Sequence, residues 1–263
     1  MTKQNRTHAV MSQRHEDKDS KDYFPTPPWA TRALFEKVLK KYWRIPDKFT
    51  GQYGHIDCLE PACGAGHMTK VLKEYFDTVV SADIDDDGQD RIADFLKTDE
   101  KQKYHYIVTN PPFNLAEEFV LKALKQARYC VAIFARTQFL ESVGRYERLF
   151  KETHPDFVAQ FTERVPILKG KLSATASTAT SYAWFVWKGF EENERSFGTD
   201  LVWIPPCRSQ LEKKGDYEES LAASYPKSTS HASQRDLFSK NFLGSYKAKL
   251  DLTVWFHICI SVM

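Results

Sequence analysis

Apolar and polar positions fall into blocks along this chain, and the blocks have two periods. Residues 28–40 carry Ala33, Leu34, Val38 and Leu39 at helical spacing with charges between them, which predicts an amphipathic helix. Short apolar runs follow at 56–60, 78–83, 104–110 and 130–135, each reading as a strand buried on both sides. Helix-like stretches lie between and after them, at 68–75, 116–127 and 144–152. Strands interleaved with helices predict an α/β fold, a mostly parallel sheet with helices on both faces. Ligand sites in such sheets open at the carboxyl ends of the strands. Glu60, Asp83 and Asn110 all fall at such ends. Further on, residues 157–163 alternate apolar and polar, and 181–188 is strongly strand-like.

The flanks read differently. Residues 1–21 are polar and charged with almost no apolar anchor, the composition of a disordered tail. Residues 22–205 make the patterned domain, and 206–263 a poorly ordered extension whose apolar end is too short to span a membrane. At 263 residues the chain suffices for one α/β domain with appendages. A net charge of +2 does not announce a nucleic-acid partner, although a local basic face is compatible with it. The five cysteines (58, 63, 130, 207 and 259) form no Cys-x-x-Cys pair, so no metal site is expected. Reduced core thiols, a polar start unlike a signal peptide and the lack of a long apolar run together predict a cytoplasmic protein.

Two motifs carry candidate chemistry. Glu60-Pro61-Ala62-Cys63-Gly64-Ala65-Gly66 sits between a strand and a helix, where glycine serves a turn with positive φ or the close approach of a ligand to the main chain. It lacks the third glycine of the dinucleotide fingerprint, which argues against NAD. Asn110-Pro111-Pro112-Phe113 follows the strand at 104–109. Its prolines have no N–H to donate and leave nearby carbonyls free to accept; the Asn110 amide oxygen is a further acceptor, and Phe113 offers a ring for stacking. Such a set suits a planar amine.

Together these motifs resemble the S-adenosylmethionine-dependent amino-methyltransferases, above all the N6-adenine DNA methyltransferases. A third segment, Asp22-Tyr23-Phe24-Pro25-Thr26-Pro27-Pro28, precedes the glycine motif and resembles that family's extra cofactor segment. This motif order is that of the family's gamma class. The resemblance implies a Rossmann-like class I methyltransferase fold with a seven-stranded sheet closed by antiparallel strands at 157–163 and 181–188. It implies S-adenosyl-L-methionine as cofactor, held by Tyr23, Thr26, Pro27, Glu60, Pro61, Cys63, Gly64 and Gly66, with Asp83 on the ribose hydroxyls and Ile84 beside it. Asp94 would meet the adenine amine of the cofactor and Phe95 its ring, a residue that otherwise reads as core. Asn110, Pro111, Pro112 and Phe113 would be catalytic, with a target adenine in DNA flipped out of its stack. Phe139 would line the target pocket or belong to the core. Residues 169–180 form a loop that either orders on DNA or is a plain surface connection. No sizeable target-recognition domain follows, so specificity would come from loops or from a partner. The same motif also serves methyltransferases of guanine amines in ribosomal RNA and of protein glutamine amides, and a catalytically silent DNA-recognition subunit is a further alternative.

Overall fold

Pro28 occupies the first helical position, where its missing N–H costs nothing, and opens helix α1 (residues 28–42). This helix is α-helical over Pro28–Ala33, widens to a π-helix over Leu34–Leu39 and closes with a turn at Lys40–Tyr42. Its buried stripe includes Trp29, Ala33, Leu34, Phe35 and Val38, the face that the apolar spacing predicts. The computed structural model describes residues 23–42, 55–99, 101–175, 178–189 and 198–217. The tail expected at 1–21, and the extension beyond 217 with its apolar end and Cys259, lie outside the described residues.

After α1 come β1 (Asp57–Glu60), α2 (His67–Leu72), β2 (Thr78–Asp83), β3 (Arg91–Ile92) and β4 (Tyr104–Thr109). They are followed by α3 (Ala116–Gln126), β5 (Ala127–Arg136), α4 (residues 143–150), β6 (Phe157–Phe161), β7 (Tyr182–Lys188), β8 (Asp200–Ile204) and α5 (Arg208–Leu211). One sheet collects all the strands in the order β3-β2-β1-β4-β5-β7-β6-β8. It is mostly parallel; β7 runs antiparallel to both of its neighbours, β5 and β6. The order reverses between β1 and β4, and in doubly wound sheets that switch point opens a crevice at the carboxyl ends.

Alternate residues of the central strands enter two separate cores, which is why the strands read as continuous apolar runs. Cys58, Val108, Phe134 and Trp184 pack with α1 and α2 on one face. Leu59, Ile107, Ile133 and Phe185 pack with Phe119 and Val120 of α3 on the other. The α/β fold with helices on both faces is therefore as expected. Among the described residues the strand count is eight rather than seven. The additional edge strand, β8, pairs parallel with β6, burying Val202 and Ile204 while Leu201 and Trp203 stay outside. The two-residue β3, exposed throughout, has no apolar pattern by which to be recognised.

The domain boundary expected at 205 falls inside packed structure. The buried Arg32 guanidinium on α1 donates to both Asp216 carboxylate oxygens, at 2.8 and 2.9 Å, and to Glu74 at 2.7 Å. A buried guanidinium requires such acceptors, so residues 206–217 belong with the domain. Among the described residues no helix is long and apolar enough to cross a membrane.

Candidate active site

The turn after β1 is shaped by main-chain bonds. The Gly66 N–H donates to Cys63 O at 2.9 Å, and the Cys63 N–H reaches across to Ala82 O on β2 at 3.0 Å. Gly64 and Gly66 adopt φ of 49° and 78°, the left-handed region that favours glycine. Tyr23 explains the first of them further: a Cβ on Gly64 would stand 2.5 Å from its ring. Tyr23 thus lies directly on the turn. Burial pushes its hydroxyl up to about 12, despite a hydrogen bond to the Ala65 main chain, and the carboxylates of Asp87, Glu60 and Asp83 add to the rise.

Two carboxyl groups frame this turn. Asp83, ending β2, accepts the Gly64 N–H at 2.7 Å on one oxygen and the Asp85 N–H at 3.3 Å on the other. It therefore braces the glycine turn, and an ionised carboxylate still has lone pairs left for hydroxyl donors. Beside it Ile84 is 64% exposed, an apolar side chain presented to solvent at a strand end. Glu60, ending β1, is buried and accepts the Thr69 hydroxyl from α2. Burial pushes its carboxyl well above the usual range, and neighbouring Asp83 adds to the effect although the Thr69 bonds oppose it.

Asn110 leaves β4 one strand away. Its Nδ2 donates to Phe24 O at 2.7 Å and to the Thr26 hydroxyl at 3.0 Å. Because a carbonyl can only accept, the amide nitrogen must face Phe24, and the orientation of the side chain is thereby determined. The consequence is chemical: Asn110 Oδ1 is buried and has no hydrogen-bond partner among the described residues. An orphaned buried acceptor costs about 1–3 kcal/mol, so this oxygen calls for a donor, whether water, ion or ligand. Of the two proline carbonyls, Pro112 O is taken by the Leu115 N–H at 3.0 Å in the turn leading to α3. No bond from a described residue takes Pro111 O. Half-buried Phe113 contacts Phe24 with ring centroids 5.1 Å apart.

The sequence-derived set is therefore brought together in part. Tyr23, Thr26, the Cys63–Gly66 turn, Glu60, Asp83 and the Asn110–Phe113 motif gather at the carboxyl ends of β1, β2 and β4, and Pro61 is buried. Pro27 instead caps α1, its carbonyl accepting the Ala30 N–H at 2.9 Å. Asp94 caps a short 3-10 turn through the Leu96 N–H, and the Lys97 ammonium at 2.8 Å holds it below the usual carboxylate range. Phe95 is 4% exposed and packs on Phe119, the core placement that its residue type alone suggests. Phe139 is likewise core, edge-on to Phe150 and Phe185. The connection at 169–180 touches the site, since the Gly170 N–H donates to Tyr23 O at 2.8 Å. One residue escaped sequence reasoning: Arg136 at the end of β5, with its guanidinium 4.2 Å above the Phe113 ring. An arginine ending the strand next to the Asn-Pro-Pro-Phe strand was the available signal.

No protein-family model matches this sequence, and no curated protein matches it. Among solved structures, it is similar to a Listeria monocytogenes protein assigned as a class I S-adenosylmethionine-dependent methyltransferase. The identity is 13% and the TM-score 0.46, over 68% of this chain and 65% of that one. The chain thus spans slightly less than two thirds of that protein. It is similar also to the 23S rRNA methyltransferase ErmE (15% identity, TM-score 0.39, 66% of this chain and 72% of that one). A TehB-like methyltransferase from Corynebacterium glutamicum matches at 12% identity and TM-score 0.38, over 61% of this chain and 86% of that one. Likenesses this distant place the chain in no family.

Proposed function

We propose that this chain is an S-adenosylmethionine-dependent methyltransferase that methylates the exocyclic N6 amine of adenine in DNA. The observation that carries the reading is the Asn110 amide, tied by its nitrogen so that its buried oxygen is left without a partner among the described residues. The cofactor would supply an electrophilic methyl group on a sulfonium centre. The fit to it rests on the Tyr23 ring over Gly64, the remaining lone pairs of Asp83 for ribose hydroxyls, and the uncovered Ile84 for an apolar base face. Asp94 would take the cofactor's adenine amine, with Phe95, 4% exposed, beside it.

An exocyclic amine is a weak nucleophile because its lone pair is delocalised into the ring. Asn110 Oδ1 accepts one amine hydrogen and Pro111 O the other, which favours a lone pair directed out of the ring plane. Phe113 packs against the base. Placement and fixed dipoles supply the acceleration, with no strong base required before transfer. A base in a duplex has to be flipped out to reach this crevice. The choice of adenine in DNA is supported by the order of the three motifs and by the docking of segment 23–28 on Asn110.

Tritiated cofactor incubated with unmethylated duplex DNA, ribosomal RNA and protein is expected to label adenine in the DNA, identified by mass spectrometry of the digest. Label only in RNA or protein would sink the DNA assignment. Cofactor binding without transfer to any of them would leave a silent recognition subunit.

A further inference from the structure

Arg136 has an unusual situation for a half-buried cation. Arg32, Arg91, Arg145, Arg148, Arg164 and Arg208 each donate to a protein oxygen. Among the described residues Arg136 donates to none: its contacts are the rings of Phe113 at 4.2 Å and Phe24 at 5.6 Å, and its buried Nε has no partner. Burying part of a guanidinium without an acceptor is unfavourable, and cation–π contact returns only part of the loss. The position is informative as well. β5 lies beside β4, with Ile133 opposite Thr109, so Arg136 stands at the strand end next to Asn110 on the side away from β1 and the glycine turn.

We propose that Arg136 is a substrate-positioning residue that grips a phosphate of the polynucleotide beside the target base. The inference rests on the methyltransferase reading above and deepens it by assigning the charge that holds the polymer. A planar guanidinium suits a phosphate bidentately, and stacking on Phe113 and Phe24 fixes its plane before the polymer arrives. A chain with a net charge of only +2 needs such local contacts. The cofactor carboxylate is a less suitable partner, because the glycine turn belongs to β1, on the far side of β4.

The test uses the full chain, a fluorescein-labelled random-sequence DNA duplex and tritiated cofactor. Arg136→Gln keeps much of the packing and removes the charge; Arg136→Lys restores the charge without the fork. Glutamine is expected to raise KM for DNA about tenfold, with kcat changed less than threefold. It is also expected to make the slope of log affinity against log salt shallower by about 0.9, the share of one phosphate. Lysine should recover the slope. Cofactor affinity should stay within threefold in both variants. An unchanged salt slope in an active glutamine variant would overturn the proposal while leaving the methyltransferase reading intact. So would a loss of cofactor affinity, which would mark Arg136 as a partner of the cofactor or a support of the fold. Absence of methyl transfer to DNA and RNA by the unaltered chain would sink the underlying reading, and this proposal with it.

Discussion

Replacing Asn110 with alanine removes two things that the structure separates. The amide nitrogen makes bonds of 2.7 and 3.0 Å to segment 23–28, and the amide oxygen makes none among the described residues. The two lost bonds should cost about 2 kcal/mol of stability, at about 1 kcal/mol each. Loss of the free oxygen should return part of that in the unliganded fold, because it removes a buried acceptor that no donor among the described residues uses. It should also lower kcat about 10²–10³-fold, as expected for one preorganised group that stabilises a transition state. Thr26→Val separates the terms: it removes one anchoring bond, lowers stability by about 1 kcal/mol and leaves the oxygen in place. The assays are urea unfolding and steady-state transfer of tritiated methyl groups to DNA. If Asn110→Ala keeps kcat within threefold of the unaltered chain, the acceptor role is refuted. If Thr26→Val alone abolishes transfer, the oxygen is not the decisive group.

Gly64→Ala should weaken cofactor binding at least tenfold, since the new methyl group meets the Tyr23 ring at 2.5 Å and φ is positive; calorimetric titration with the cofactor checks it, and normal affinity would refute the contact. Gly189→Ala should destabilise the fold by more than about 2 kcal/mol, because the Cβ would lie 2.2 Å from Arg128 O, which is main chain and cannot swing aside; a melting temperature within a degree or two would count against it. Burial alone would raise the Glu74 carboxyl, but the bonds from Arg32 and Lys213 more than offset this and hold it below its ordinary value. Its contribution is therefore present above the unfolded value of about 4.3 and lost as pH falls through the lower folded value. Glu74→Gln should flatten the dependence of melting temperature on pH below about 5, and an unchanged acid limb would argue against it.

Much of this arrangement was legible in the sequence because the central strands obey simple periodicity. The run at 78–83 became β2 with the same bounds, and those at 56–60 and 104–110 differ from β1 and β4 by one residue. Strand-end positions follow from topology, and Glu60, Asp83 and Asn110 share them. Local pattern did not reveal what depends on long-range contact. The Arg32–Asp216 pair spans 184 residues, and nothing in the polar stretch around Asp216 distinguishes it from a solvated turn. Asp83 and Phe95 show the opposite difficulty. A strand-end carboxylate and a buried ring fit both ligand and scaffold roles, and the structure gives each a scaffold partner in Gly64 and Phe119.

An asparagine amide has two ends of nearly equal shape and opposite hydrogen-bonding character. Which end faces the crevice is decided here by a main-chain carbonyl 86 residues earlier. With segment 23–28 frayed, the same side chain is free to turn its NH₂ toward the crevice and to prefer a carbonyl over an amine. Under the proposed role of Asn110, amine selectivity would thus be a tertiary property. Contacts so distant in sequence close late in folding, so this selectivity should be acquired last and lost first, while the sheet beneath still appears native to circular dichroism.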